Sequence, residues 1–299
     1  MTMKMSGTPD HSVILKPVPF ERLDLSGERL AVIGGTGGLG RAIAEHALDK
    51  GAEVTVVGRT FRGAPSSRLT FVAADLSSMR EAARLGRELP AESLDVALFT
   101  AGIMAAKSRE ETSEGIERDL AVSYLNRYAI LQGLSSRIGT ARPSGAPPAR
   151  VFIMAAPGTG ALGNPDDLNA EQKYGTLSAH MNTVAANEAL ILAGADILPG
   201  PDYFGLNPGL IKTDIRSNTL GAGSLSHRLT ETVIGLFSQS PQQYAKRIVP
   251  LLFAKELDGR TGIHFNNKAR PILPSAGMTG DFVDRFIAAS DKLLQRAVS

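Results

Sequence analysis

Short apolar runs alternate with stretches of helical spacing along nearly the whole chain, and that alternation leaves few folds open. RLAVIG (29–34), AEVTVVG (52–58), LTFVAAD (69–75), LDVALFTAG (94–102), RVFIMAA (150–156) and DYFGLNPG (202–209) are mostly apolar at successive positions. Runs of that kind suit strands covered on both faces rather than half-exposed ones. Between them, Leu39–Lys50, Leu76–Leu89, about 114–138 and 177–194 carry apolar residues at helical intervals. Further helices are expected at about 224–237 and 241–256, a short strand at 261–265 and a terminal helix at 280–297. Strand–helix alternation with fully apolar strands predicts an α/β fold, a doubly wound parallel sheet with helices on both faces.

The first 27 residues contain Pro9, Pro17, Pro19 and Gly27 without sustained periodicity, so they read as an arm leading into the fold. From residue 28 to 299 no linker is long or polar enough to divide the chain, and one domain is expected. The 32 basic and 30 acidic residues nearly cancel and are spread out, which points away from nucleic acid or a membrane surface as partner. No cysteine is present, so disulfides, thiol nucleophiles and cysteine metal sites are excluded. The five histidines (11, 46, 180, 227 and 264) never stand four apart, and no metal site is expected. The N-terminal MTMKMSGTPDHS lacks an apolar signal core, and no run approaches the roughly 20 apolar residues that span a bilayer. The expectation is a soluble, cytoplasmic protein acting on a small molecule.

The chemistry-bearing turn is IGGTGGLGRAIA (33–44), between the first strand and the first helix. Glycine there permits a tight turn (Gly34), backbone approach to a pyrophosphate (Gly38) and close helix–strand packing (Gly40), while the helix N-terminus offers N–H donors. This is a dinucleotide-binding, Rossmann-type arrangement. At the end of the second strand, where an acidic residue would bind a ribose 2′-hydroxyl, the chain has Gly58-Arg59-Thr60. Arg59 suits a 2′-phosphate, so NADP(H) is the expected cofactor.

The spacing Gly34-x-x-x-Gly38-x-Gly40 resembles the TGxxxGxG turn of the short-chain dehydrogenases/reductases, with Ile33 in place of the usual threonine. Asp75-Leu76 resembles the family's adenine contact after the third strand. Thr100-Ala101-Gly102 resembles its Asn-Ala-Gly, and Asn207-Pro208-Gly209-Leu-Ile211-Lys-Thr213 its PGxxxT stretch at the nicotinamide carboxamide. The likeness runs from about residue 28 to 265 in the right order. It implies that Gly34, Thr36, Gly38, Leu39, Gly40, Arg59, Thr60, Asp75, Leu76, Ala101, Gly102, Pro208, Gly209, Ile211 and Thr213 line the cofactor. It also implies a homodimer built on the helices at 114–138 and 177–194.

The resemblance fails at the catalytic group. The family uses Asn, Ser, Tyr and Lys, the tyrosine giving its proton to a carbonyl and the lysine lowering its pKa. In AVSYLNRYAIL the Asn position holds Ser123, and in RVFIMAA the Ser position holds Ala156. LNAEQKYGTLSAHMNTVAAN places His180 and Val184 at the Tyr and Lys positions. No other register helps, since the residues four after the five tyrosines are Tyr, Gln, Ser, Asn and Ile. His180 is either a replacement acid, titrating near neutrality without a lysine's help, or a side chain that fills space. Ser123 and Arg127, four residues apart on one helical face, are taken with it as candidate catalytic residues; Arg127 either holds an anionic substrate group or salt-bridges a neighbouring helix. Tyr174, Asp166 and Asp167 fall in the loop that covers substrate in this family. Three functions remain open: an NADP(H)-dependent reductase with a non-standard site, a non-redox isomerase or cyclase similar to fungal cyclases of this fold, and a non-catalytic NADP(H)-binding sensor.

Overall fold

The strands at the centre of the sheet, β4 (Val96–Phe99) and β5 (Arg150–Met154), contain no exposed residue, as their unbroken apolar runs require. Around them a computed structural model describes residues 7–209 and 240–299. The expected helix at 224–237 and the cofactor candidates Ile211 and Thr213 lie outside the described residues. In chain order the elements are β1 (Arg29–Ile33), α1 (Gly38–Asp49), β2 (Glu53–Gly58), β3 (Leu69–Ala73), α2 (Met79–Glu88) and β4. They continue with α3 (Arg118–Leu120), a π turn over Ala121–Leu125, α4 (Asn126–Leu134), β5, α5 (Thr176–Ile197) and β6 (Asp202–Leu206). After the undescribed segment come α6 (Pro241–Leu252), β7 (Ile263–Phe265), β8 (Pro271–Ile272) and α7 (Gly280–Val298).

The eight strands form one sheet in the order β3-β2-β1-β4-β5-β6-β7-β8. Every pairing is parallel except β7 with β8. The expected doubly wound α/β sheet is present. Alternate residues of each strand enter two separate cores. Ala31, Ile33, Val151 and Ile153 join the core under α2, α4, α5 and α7, while Leu30, Val32, Phe152 and Met154 join the core under α1 and α6. The antiparallel β8 was not expected, because two residues carry no periodicity. Ahead of β1, the arm packs onto the domain: Thr8 O accepts from Leu273 N at 2.8 Å, Asp10 N donates to Pro271 O at 3.0 Å, and Leu25 is buried.

The helix expected over 114–138 is interrupted. In the π turn Ala121 O accepts the Asn126 backbone N–H, and the Asn126 side-chain amide donates to Ala121 O and Val122 O, at 2.7 and 2.6 Å. The widened turn sets the phase of Asp119, Ser123 and Arg127 toward α5.

The terminal helix packs against α4 and α5, the two helices expected to take part in a dimer. Along α7, Val283, Phe286, Ile287, Ser290, Leu293, Leu294 and Ala297 form one buried stripe packed against them. The Tyr124 and Ser290 hydroxyls are 2.6 Å apart, and Tyr128 Oη donates to Asp291 at 2.7 Å. Phe286 is fully buried at the centre of that contact. Phe286→Ala is expected to lower unfolding free energy by about 3–5 kcal/mol in denaturant titration, whereas a change under about 1 kcal/mol would mean that α7 does not depend on this packing.

Candidate active site

The turn after β1 is shaped by contacts that exclude side chains. Gly34 has φ +94°, and a Cβ there would lie 2.4 Å from Ala101 N. At Gly40 a Cβ would sit 2.3 Å from Thr100 Oγ1 and 2.6 Å from Gly34 O. Thr100 N and Ala101 N both donate to Ile33 O, at 2.8 and 3.2 Å, so the ends of β1 and β4 are drawn together at this point. Leu39 and Gly40 are buried while Gly37 and Gly38 are exposed. Gly37 is the N-cap of α1 and offers no side chain, and the first turn carries no acidic residue. The uncapped N–H groups and the positive end of a 12-residue helix therefore face open space at the carboxyl edge of the sheet. That donor set fits a pyrophosphate.

The adenosine end fits as well. Gly58 gives room to Thr36, whose side chain would lie 2.7 Å from a Cβ there. Arg59 and Thr60 project into solvent just beyond β2, and Arg59 forms no salt bridge among the described residues. Asp75 accepts from Ser77 N at 3.0 Å and Ser77 Oγ at 2.8 Å. Those bonds, helped by the charges of Arg59 and Arg118, hold its carboxyl below the usual range. Leu76 is buried beneath it, and Ala101 and Gly102 are partly exposed at the end of β4. Across the sheet, Asn207 Oδ1 accepts from Gly209 N at 3.0 Å, and Pro208 and Gly209 stay partly exposed. The described cofactor candidates thus share one edge of the sheet.

The second half of the site is built where α3 meets α5. Glu117 caps α3 by accepting from Leu120 N at 2.7 Å, and its own N–H donates to Asn169 Oδ1 at 2.7 Å. This orients the single turn so that Arg118 points outward and Asp119 is fully buried. Asp119 Oδ2 lies 2.7 Å from His180 Nδ1. Its other oxygen, Oδ1, accepts from Ser123 Oγ at 2.5 Å. An ionised carboxylate only accepts, so Nδ1 carries the hydrogen and Nε2 is left as the working nitrogen. The His180 side chain is 22% exposed and Asp119 0%, so the imidazole bridges a buried charge and the open site. Beside the pair, Ile103, Met104, Ala106, Glu110, Arg118 and Asp119 line a cavity of about 140 Å³.

Asp119 carries no sequence signal of its own; one acid among 30, it lies 61 residues from His180 and only the fold joins them. Ser123, expected as a catalytic group, is instead committed to positioning: its hydroxyl donates to Asp119 and accepts from Ile103 N at 3.0 Å. Neither expectation for Arg127 holds. Its guanidinium is buried and donates to Asn187 Oδ1 at 2.7 Å and Ala101 O at 2.6 Å, so among the described residues it reaches neither an open pocket nor a carboxylate of a neighbouring helix. Val184 is buried on α5 one turn beyond His180, and Ala156 follows β5 with its carbonyl taken by Thr159 Oγ1 at 2.8 Å.

The loop before α5 is fixed by its own polar groups. Tyr174 Oη and Thr176 Oγ1 both donate to Ala106 O, at 2.6 and 2.9 Å, and tie this loop to the one after β4. Asp167 accepts from the backbone of Glu171, Gln172 and Lys173, and Asp166 pairs with Arg285 on α7. Among the described residues no helix is long and apolar enough to cross a membrane, and no group of three or more potential metal ligands is found.

No family model matches the chain. Among curated proteins it is 46% identical over 280 residues to an uncharacterized oxidoreductase of Saccharomyces cerevisiae, covering 92% of this chain and 91% of the relative. A "probable oxidoreductase" of Streptomyces lividans is 30% identical over 273 residues, with coverage of 84% and 89%. Human retinol dehydrogenase 14 is 25% identical over 283 residues, covering 84% and 82%. Among solved structures, a short-chain dehydrogenase of Shigella flexneri complexed with NADP superposes with a TM-score of 0.58 at 15% identity, over 83% of this chain and 100% of that one. An oxidoreductase of Escherichia coli gives a TM-score of 0.58 at 15% identity, with coverage of 85% and 99%. With the sheet order, the glycine turn and full-length similarity to oxidoreductases all in agreement, the chain belongs to the short-chain dehydrogenase/reductase family.

Proposed function

We propose that the chain is an NADP(H)-dependent reductase of a small carbonyl or imine-type molecule, with His180 as the proton donor and Asp119 as the group that orients it. The observation carrying this reading is the 2.7 Å contact between His180 Nδ1 and Asp119 Oδ2. An imidazole that only filled space would not need a fully buried carboxylate placed against one nitrogen. Bound NADPH would supply a hydride to the substrate carbon. The protein's part is to hold the substrate and deliver one proton from His180 Nε2 to its oxygen or nitrogen, leaving a neutral imidazole whose Nδ1–H still bonds Asp119. Asp119 stabilises the imidazolium before transfer and fixes the ring throughout. Ser123 holds the carboxylate, and Val184 leaves the site without the lysine that a tyrosine acid would need.

The preference for NADP(H) rests on Arg59, which is exposed at the end of β2 where no acidic residue stands to repel a phosphate. A charge-assisted contact contributes about 1.5–3 kcal/mol, so Arg59→Ala should weaken NADPH binding about 10–100-fold in calorimetry and leave NADH binding little changed. Equal binding of both cofactors by the wild-type protein would refute the assignment.

The acid role is tested by turnover. His180→Phe should lower kcat by about 10²-fold or more while NADPH binding persists, and Asp119→Asn should lower it by about 10-fold or more. In the wild type, reduction should slow as pH rises through the imidazole titration, because the neutral ring is a poor acid. Full turnover by His180→Phe would turn the assignment toward an isomerase, a cyclase or a sensor.

A further inference from the structure

Where β4 stops being a strand, side chains take over its support. Its ladders to β1 and β5 both end at Phe99, and the chain runs on through the partly exposed Ala101 and Gly102 to Ile103. Ala101 N still reaches Ile33 O at 3.2 Å. The Ala101 carbonyl accepts from a side chain instead, Arg127 Nη2 at 2.6 Å. Two residues on, Ile103 N donates to Ser123 Oγ at 3.0 Å. The π turn and α4 therefore hold the stretch 101–103 from inside the protein, with both backbone polar groups of Ala101 already bonded.

An arginine is a costly choice for that task. It is 2% exposed, and its Nε has no hydrogen-bond partner among the described residues. Burial brings its pKa down to about 9, which still leaves a buried cation at neutral pH. What the guanidinium offers in return is a rigid fork with donors for two elements at once. While Nη2 holds Ala101, Nη1 donates to Asn187 Oδ1 on α5 at 2.7 Å. Asn187 is fixed in turn, its Nδ2 donating to Ser123 O at 2.8 Å and Thr183 O at 2.7 Å. A glutamine is too short to span both acceptors, and a lysine has one nitrogen. The fork thus ties the end of β4 to the helix that carries His180.

The sheet order says which part of a dinucleotide would lie there. With adenosine over β2 and β3 and the pyrophosphate at the turn after β1, the nicotinamide half reaches β4, next in line. We infer that Arg127 is a positioning residue for the nicotinamide half of the cofactor, fixing through the Ala101 carbonyl the strand end on which that half rests. This role depends on NADP(H) as the cofactor and on Ala101 and Gly102 as residues that line it. It does not depend on which group gives the proton.

Calorimetry on the full-length protein with NADPH and with adenosine 2′,5′-bisphosphate separates the two halves of the site, because the bisphosphate lacks the nicotinamide half. Arg127→Gln should weaken NADPH binding about tenfold and change bisphosphate binding by less than about twofold. Arg127→Lys keeps a donor within reach of Ala101 O and should recover most of the loss. Arg127→Met fills the space without burying a charge; it should repeat the Arg127→Gln pattern and serves if that variant does not fold. Unchanged NADPH binding in a folded variant overturns the inference, and so does an equal loss of both ligands, which a general loosening of the fold would give. A wild-type protein that binds neither NADPH nor NADH overturns it together with the cofactor assignment. Equal binding of NADPH and NADH ends only the preference for NADP(H), and full turnover by His180→Phe ends only the proton-donor assignment.

Discussion

A carboxylate with no exposure, held between two short elements, sets the terms for the rest of this site. Asp119 can remain ionised in the core only if its oxygens are hydrogen-bonded and its charge is answered. Ser123 and His180 meet the first need at 2.5 and 2.7 Å. Arg127, at longer range, meets the second. Each of these partners is fixed in turn: Ser123 by the π turn that Asn126 stabilises, His180 by the first half of α5, Arg127 by Asn187 and the end of β4. The polar network is thus the joint between α3, α4, α5 and the sheet. The loop after β4 and the loop before α5 are tied over it at Ala106.

The two halves of the site rest on different physics. At the cofactor edge the protein offers backbone: an uncapped helix end, glycines at close approaches and a drawn-in strand end. Those features answer to the shape of a dinucleotide rather than to the substrate beside it. At the other edge the site is built from side chains, with His180 against the buried Asp119. Tyrosine, with a pKa near 10, needs a nearby cation to become a useful acid at neutral pH, whereas imidazole needs only orientation. An imidazole acid on His180, as proposed, would need no lysine on α5, and Val184 is buried there.

The legible parts of the sequence were those set by local rules. Apolar runs located the first six strands, five of them largely buried and β3 at the sheet edge without a buried residue, and IGGTGGLG located the turn because only glycine fits beside Ala101 and Thr100. His180 was legible as a candidate, since it stands in a stretch that otherwise resembles the family's catalytic helix. Asp119 was not, since its role depends on a pairing 61 residues distant and on a π turn that no propensity announces. The same limit hid the partners of Arg127, whose helical spacing from Ser123 suggested a shared open face. It also hid the docking of α7: an amphipathic helix shows that it will bury one face, but not against which neighbour. The two-residue β8 lies below the length at which any pattern exists.

The central claim, that the acid site has been rebuilt on His180 and Asp119, is tested most directly by a crystal structure with NADP⁺ and a substrate or its unreactive analogue. The account expects His180 Nε2 within about 3 Å of the substrate's carbonyl oxygen or imine nitrogen, with the reacting carbon about 3–3.5 Å from nicotinamide C4 and Nδ1 still on Asp119. An imidazole turned away from the nicotinamide, or a different proton donor at the substrate atom, would contradict it.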